Sequence, residues 1–287
     1  MNRTLARSQF KKQFGRTNQY LVTSLVALNC LSSSSIKEAP KELHTTWNPK
    51  DKYSTIMRTR IFVQHSFLGW AVDALDMYVS LLNRKPDYLQ SKELATSLNA
   101  VGHSVRGKAM VIGAFYDINP VTQGLIDVLI TWRNNVFHTL AETEVDADSV
   151  AIISAEKEYI EANYRGLDAN QLSDKAYKAD VLTFKETASL INAVHHFVQE
   201  VDATVIDRLN ISRFCYELVS EELGSKGRNA FAAKYFGLSL ERREAFVRNW
   251  LANKYGVDLI TDADIQAALC IEREPKLRNR RAQTTIP

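Results

Sequence analysis

Arg133, Asn134 and His138 are the residues of this 287-residue chain whose types and spacing suit chemistry. They lie in NPVTQGLIDVLITWRNNVFHTL, residues 119–140, one of its most apolar stretches, where core formation does not call for them. Arginine's planar guanidinium grips phosphate or carboxylate oxygens with two parallel N–H donors. Histidine is the side chain that ordinarily exchanges a proton near neutral pH. On a helix Asn134 and His138 are neighbours, four positions apart, with Arg133 beside Asn134. If two copies of the chain met here, two arginines and two histidines would face one another across a two-fold axis, a constellation that suits a phosphate. The competing reading is that a cation and an imidazole merely cap or solvate the negative end of a helix, which is worth about 0.3–1 kcal/mol.

A helix has to present these groups. The pattern predicts one starting at Asn119-Pro120, proline suiting the first helical position. Along it Leu125, Leu129, Trp132 and Val136 form an apolar row that should face the core. Ile126, Ile130 and Phe137 form a second row, into which Arg133 falls, and Asp127, Thr131, Asn134 and His138 form a polar row. Two apolar rows predict two packing partners: the domain's own core, and either another of its helices or a second copy.

Helical periodicity dominates the rest of the chain. With 11 Gly, 6 Pro and no alternating strand pattern, the fold class is all-α. Helices are expected at the N-terminus, over about 54–84 (Leu68, Val72, Leu75, Val79, Leu82), and over 88–115 with a break near Gly102. Others are expected over 148–163, over 176–208, and as three shorter ones within 211–270 ahead of a basic tail. The connector SSSSIKEAPKELHTTWNPKDK marks a boundary. The expected organisation is therefore 1–52, N-terminal helix and linker; 53–208, helical domain; 209–287, C-terminal helical module.

The run YLVTSLVALNCL, preceded by Lys11, Lys12 and Arg16, superficially resembles a signal peptide, but Thr23, Ser24 and Asn29 interrupt it. No run approaches the ~18–20 apolar residues of a membrane span, so no membrane association and a cytoplasmic location are expected. Cys30, Cys215 and Cys270 are odd in number and far apart, which predicts buried reduced thiols rather than a disulfide framework or metal pair. The net charge of +3 leaves any electrostatic argument to its distribution.

RNNVFH resembles the R-N-x-x-x-H signature of the HEPN superfamily, compact helical bundles that include many metal-independent endoribonucleases. Arg133, Asn134 and His138 match it residue by residue, and the likeness covers about 54–208. A second pair, Arg60 and His65 in RIFVQH, has the same Arg-to-His spacing but Ile61 where the signature has asparagine. The resemblance implies a HEPN-like bundle that cleaves RNA through the substrate's own 2′-hydroxyl, with no metal or cofactor. Arg133 would hold the scissile phosphate, His138 would move a proton, and Asn134 would fix one of them. It further implies a homodimer with a composite site, acting as a toxin or antiviral effector with a regulatory protein partner or antitoxin. The alternative is a non-catalytic HEPN-like module for RNA or nucleotide binding, or for assembly.

The stretch 224–256 adds a candidate RNA contact: Lys226, Arg228, Lys234, Arg242, Arg243 and Arg248, interleaved with Phe231, Tyr235, Phe246 and Trp250. Rings at helical spacing also read as core, and cations as a solvated face. Asp73 and Asp76 could orient a catalytic side chain or belong to a solvated face, and His195 and His196 read as packing residues. GHSVRG, residues 102–107, has the wrong spacing for a nucleophile elbow, which excludes that serine-hydrolase motif.

Overall fold

The computed structural model describes residues 1, 3–138, 140–169, 171–225, 230–257 and 260–272, and among them no strand occurs. Two compact units divide the chain, residues 2–209 and 210–287. The first holds α1 (Leu5–Phe14), α2 (Thr17–Ser33), α3 (Lys52–Leu82), α4 (Lys92–Ala100), α5 (Val105–Tyr116) and α6 (Pro120–Phe137). It continues with α7 (Ala147–Ala155), α8 (Lys157–Asn163), α9 (Leu172–Lys178) and α10 (Phe184–Arg208).

The segment 1–52 is not a separate piece. Both α1 and α2 pack on α3, and both also meet α10. Asp202 of α10 is fully buried, accepts hydrogen bonds from the Thr4 backbone N–H and hydroxyl, and lies 3.6 Å from Arg7. Thr4 in turn caps α1 by accepting from the Arg7 N–H. Phe10 and Phe14 are buried, and the His195 ring stacks on Phe14 at 5.2 Å.

Burial, with smaller contributions from His196 and Lys11, pushes the His195 pKa down to about 4. The unfolded chain therefore binds more protons between pH 6.5 and 4, so this contribution to stability is complete above pH 6.5 and lost as pH falls towards 4. Urea unfolding across that window should show stability falling more steeply in the wild type than in His195→Phe, by up to about 1.4 kcal/mol per pH unit. Equal slopes in the two proteins would refute it.

Helix α6 is the axis of the first unit, with α3, α5, α7, α9 and α10 packed around it. From Val121 to Trp132 every residue except Gln123 is buried. This corrects the expected polar row, because Asp127 and Thr131 lie inside. Burial of the Asp127 carboxylate is tolerated because Arg106 of α5 pairs with it and the Asp146 N–H donates to it at 2.8 Å. Ile126 and Ile130 are likewise enclosed by the chain's own helices, not offered to a second copy.

Several helix boundaries also differ from the sequence pattern. The helix expected over 148–163 breaks at Glu156 into α7 and α8. The one expected over 176–208 begins only at Phe184, because Thr183 and Glu186 form a reciprocal capping box. Just before it, Ala179 ends α9 in the left-handed conformation at φ +55°.

The second unit holds four described helices where three were expected: α11 (Ile211–Gly224), α12 (Ala230–Gly237), α13 (Leu240–Tyr255) and α14 (Asp262–Leu269). Phe231 lies 4.6 Å from Trp250 and 5.0 Å from Phe246, centroid to centroid, and buried Tyr235 donates to the Ala268 carbonyl at 2.7 Å. Of the thiols only Cys215 is buried; Cys30 and Cys270 are exposed, contrary to expectation, and all three are free. Among the described residues no helix is long and apolar enough to cross a membrane.

Candidate active site

The last turn of α6 is where the buried helix reaches the surface. Trp132, fully buried, anchors it: its indole N–H donates to the Asp180 carbonyl at 2.9 Å, and its ring meets His65 edge-on at 4.8 Å. Asn135 holds the same side. Its amide donates to the carbonyls of Thr143 (2.8 Å) and Ala176 (3.0 Å), and its oxygen accepts from the Thr143 N–H at 2.9 Å. With about 100° per residue, fixing Trp132 and Asn135 inward turns Arg133, Asn134 and Phe137 the other way.

Arg133 organises the outward side. Its Nη1 donates to Asn134 Oδ1 at 3.2 Å and contacts His138 Nε2 at 3.2 Å, while Nη2 lies 3.5 Å from Asp73 Oδ1 on α3. His138 is the C-cap, and its backbone N–H donates to the Asn134 carbonyl at 2.9 Å. A guanidinium has only donors, so a hydrogen bond in this contact is one that His138 Nε2 accepts. A phosphate oxygen arriving at the guanidinium would compete for the same donors.

Among the described residues the Arg133 guanidinium contacts Asn134, His138 and Asp73. Phe137 lies beside them, half exposed, with its ring tip close to α3. A Cβ on Gly69 would stand 3.1 Å from Phe137 Cζ, so glycine there permits the close approach.

The competing pair is separated by burial. His65 faces Trp132, its Nε2 is buried without a partner, and burial lowers its pKa. Asp73 faces Arg133, and Asp76 pairs with Lys108 at 2.8 Å. His196 contacts the Tyr164 hydroxyl and the Asn192 amide. Ser104 of GHSVRG caps α5 by accepting from the Gly107 N–H. Asn135 was not singled out in the sequence; its one local signal is that it shares the inward side with Trp132.

The basic stretch of the second unit is divided. Lys226 and Arg228 lie outside the described residues. Lys234 and Arg242 are exposed, Lys234 standing 4.7 Å over the Phe246 ring. Arg243 instead donates to the carbonyls of Tyr235 (3.0 Å) and Leu269 (3.1 Å). Arg248 donates to the Ile260 carbonyl at 2.6 Å and pairs with Glu244 and Asp262. These two arginines tie the module together, and of the two readings of the rings the packing one holds for Phe231, Phe246 and Trp250, which lie against one another.

Among the described residues, no group of three or more His, Cys, Asp or Glu side chains could hold a metal ion. No family model matches the chain, and no curated protein or solved structure matches it.

Proposed function

We propose that the chain is an endoribonuclease of the HEPN type, working at Arg133, Asn134 and His138. The observation that carries this reading is the 3.2 Å contact between the Arg133 guanidinium and His138 Nε2 at the surfaced end of an otherwise buried helix. In the reaction the substrate's 2′-oxygen attacks the neighbouring phosphorus and the bond from phosphorus to the 5′-oxygen breaks. One imidazole takes the 2′ proton, and the 5′-oxygen must receive one. Arg133 neutralises charge on the equatorial oxygens as it builds up, and Asn134 fixes the guanidinium.

The two proton transfers call for an acceptor and a donor, and each chain brings a single histidine to the end of α6. A homodimer that brings two copies of His138 to one phosphate supplies both. Apolar side chains suited to such a contact flank the site: Phe137 is 49% exposed, Leu140 95%, and Phe62 on the same stripe of α3 as Gly69 70%. Leu140→Glu should shift the chain towards monomer in sedimentation by at least about tenfold in dissociation constant, since like charges would meet across the axis. An unchanged dimer, or a monomeric wild type, would remove this part of the reading. The proposed setting is a cytoplasmic toxin or antiviral effector held in check by a regulatory protein or antitoxin.

The deciding experiment is incubation of end-labelled RNA with the purified chain in EDTA, followed by analysis of the new ends. Fragments ending in 2′,3′-cyclic phosphate and 5′-hydroxyl are expected, with a fully 2′-deoxy strand left intact. Cleavage that leaves 5′-phosphates, or that cuts the deoxy strand, would refute the mechanism. The Asp73 carboxylate beside Arg133 favours the second reading, a non-catalytic binding or assembly module, because it competes with phosphate for the guanidinium. The absence of any cleavage would select that reading.

A further inference from the structure

One face of α3 leads away from the Arg133–His138 site. Asp73 faces Arg133, and Asp76, on the adjacent turn, holds Lys108 of α5. Ser80 continues the stripe towards the end of α3, and Arg84 follows just beyond the C-cap Asn83. From Asp73 to Leu82 the helix advances about 13–14 Å in two and a half turns, and Arg84 lies two residues past its end.

There it meets an open cavity of about 310 Å³ between the end of α3 and the α4–α5 turn. Ser80, Asn83, Arg84, Asn99, His103 and Lys108 line it, and no carboxylate does. The turn is made by Gly102 at φ +59°, a conformation that costs glycine nothing, and it brings His103 to the rim. The Asn83 amide donates to Asn99 Oδ1 at 3.5 Å. Asp76 offsets part of the Lys108 charge, but Arg84 and His103 are exposed, and no ion pair among the described residues engages them. A guanidinium, an ammonium, an imidazole and two carboxamides around one small opening form a donor-rich cradle for an anion with several oxygens. The volume is at the low end for small-molecule pockets, suiting a phosphate with part of its ribose better than a whole nucleotide.

We propose that this cavity is a phosphate subsite that grips the RNA backbone a few nucleotides from the bond cleaved at Arg133 and His138. The assignment rests on the endoribonuclease reading for the site beside Asp73. In that arrangement the first unit carries its own RNA contact, independent of the cations in 224–256.

The test is binding of a labelled single-stranded RNA, long enough to span both sites, to full-length chain carrying His138→Ala so that the probe survives. Adding Arg84→Ala and His103→Ala should weaken binding by about tenfold or more near physiological salt and lower the salt slope by about one to two. Arg84→Lys, which keeps the charge, should retain most of the affinity. Lys157→Ala, an exposed cation on α8, should leave it unchanged. Melting curves confirm that each variant is folded.

Unchanged affinity in the double variant, or a loss no larger than that of Lys157→Ala, would overturn the subsite. Inorganic phosphate, followed by NMR at the His103 ring, separates the sources. If phosphate binds there while RNA affinity ignores Arg84 and His103, the cavity takes free phosphate and the RNA assignment falls. If the double variant loses affinity while wild type cuts no RNA, the cleavage reading fails and the subsite stands as an RNA contact.

Discussion

RNA cleavage by the His138→Ala variant should fall by about 10²–10⁴-fold, the usual worth of a positioned general acid or base. The fold should be untouched, because the imidazole is exposed and the capping hydrogen bond to Asn134 comes from the His138 backbone. Arg133→Ala should cost on the order of 10²–10³-fold, comparable with losing one donor to a developing oxyanion. Arg133→Lys should recover little of it, since an ammonium keeps the charge but not the two-pronged geometry.

A capping role makes the opposite forecast. Both substitutions would then lower stability by about 0.3–1 kcal/mol and leave any cleavage as it was. Rate constants and melting temperatures measured on the same preparations separate the two. Full activity in His138→Ala would end the catalytic assignment, whatever the wild type does to RNA.

Trp132→Ala should destabilise the first unit by about 3–5 kcal/mol, the range for truncating a large buried aromatic. That is a large share of the ~5–15 kcal/mol that holds a typical domain together. The loss has two sources: a cavity at the centre of the α6 contacts, and the Asp180 carbonyl left without its indole partner. Cleavage should fall with it, because Trp132 fixes the turn that aims Arg133 outward. Trp132→Phe keeps most of the packing and removes only the hydrogen bond, so its cost should be nearer 1–3 kcal/mol, roughly. Urea unfolding reads both values. A cost below about 1 kcal/mol for Trp132→Ala would mean that the ring does not anchor the helix.

Much of this was legible in the sequence because it is local. Helix periodicity, the Asn119-Pro120 start, and the adjacency of Arg133, Asn134 and His138 all depend on residues within two turns of one another. The observed Asn119 cap, accepting from the Val121 N–H at 2.8 Å, and the 3.2 Å contact of Arg133 with His138 are interactions of this kind. The Thr183–Glu186 capping box was also written locally. An apolar pattern that runs on across it through α9 concealed the break.

What the sequence determined by itself, then, was an all-helical chain and the placing of three polar groups together at the end of one helix. Tertiary structure decided which side chains face water and which face carbonyls. Asp127 belongs to a polar row by periodicity, yet it is buried because Arg106, twenty-one residues away, neutralises it. Arg243 and Arg248 read as a nucleic-acid surface, but carbonyls eight to twenty-six residues away claim their donors. Asp73, far from Arg133 in the chain, comes within 3.5 Å of its guanidinium. The physical reason is the same each time: the cost of a buried or solvated charge depends on partners that only the folded chain brings within reach.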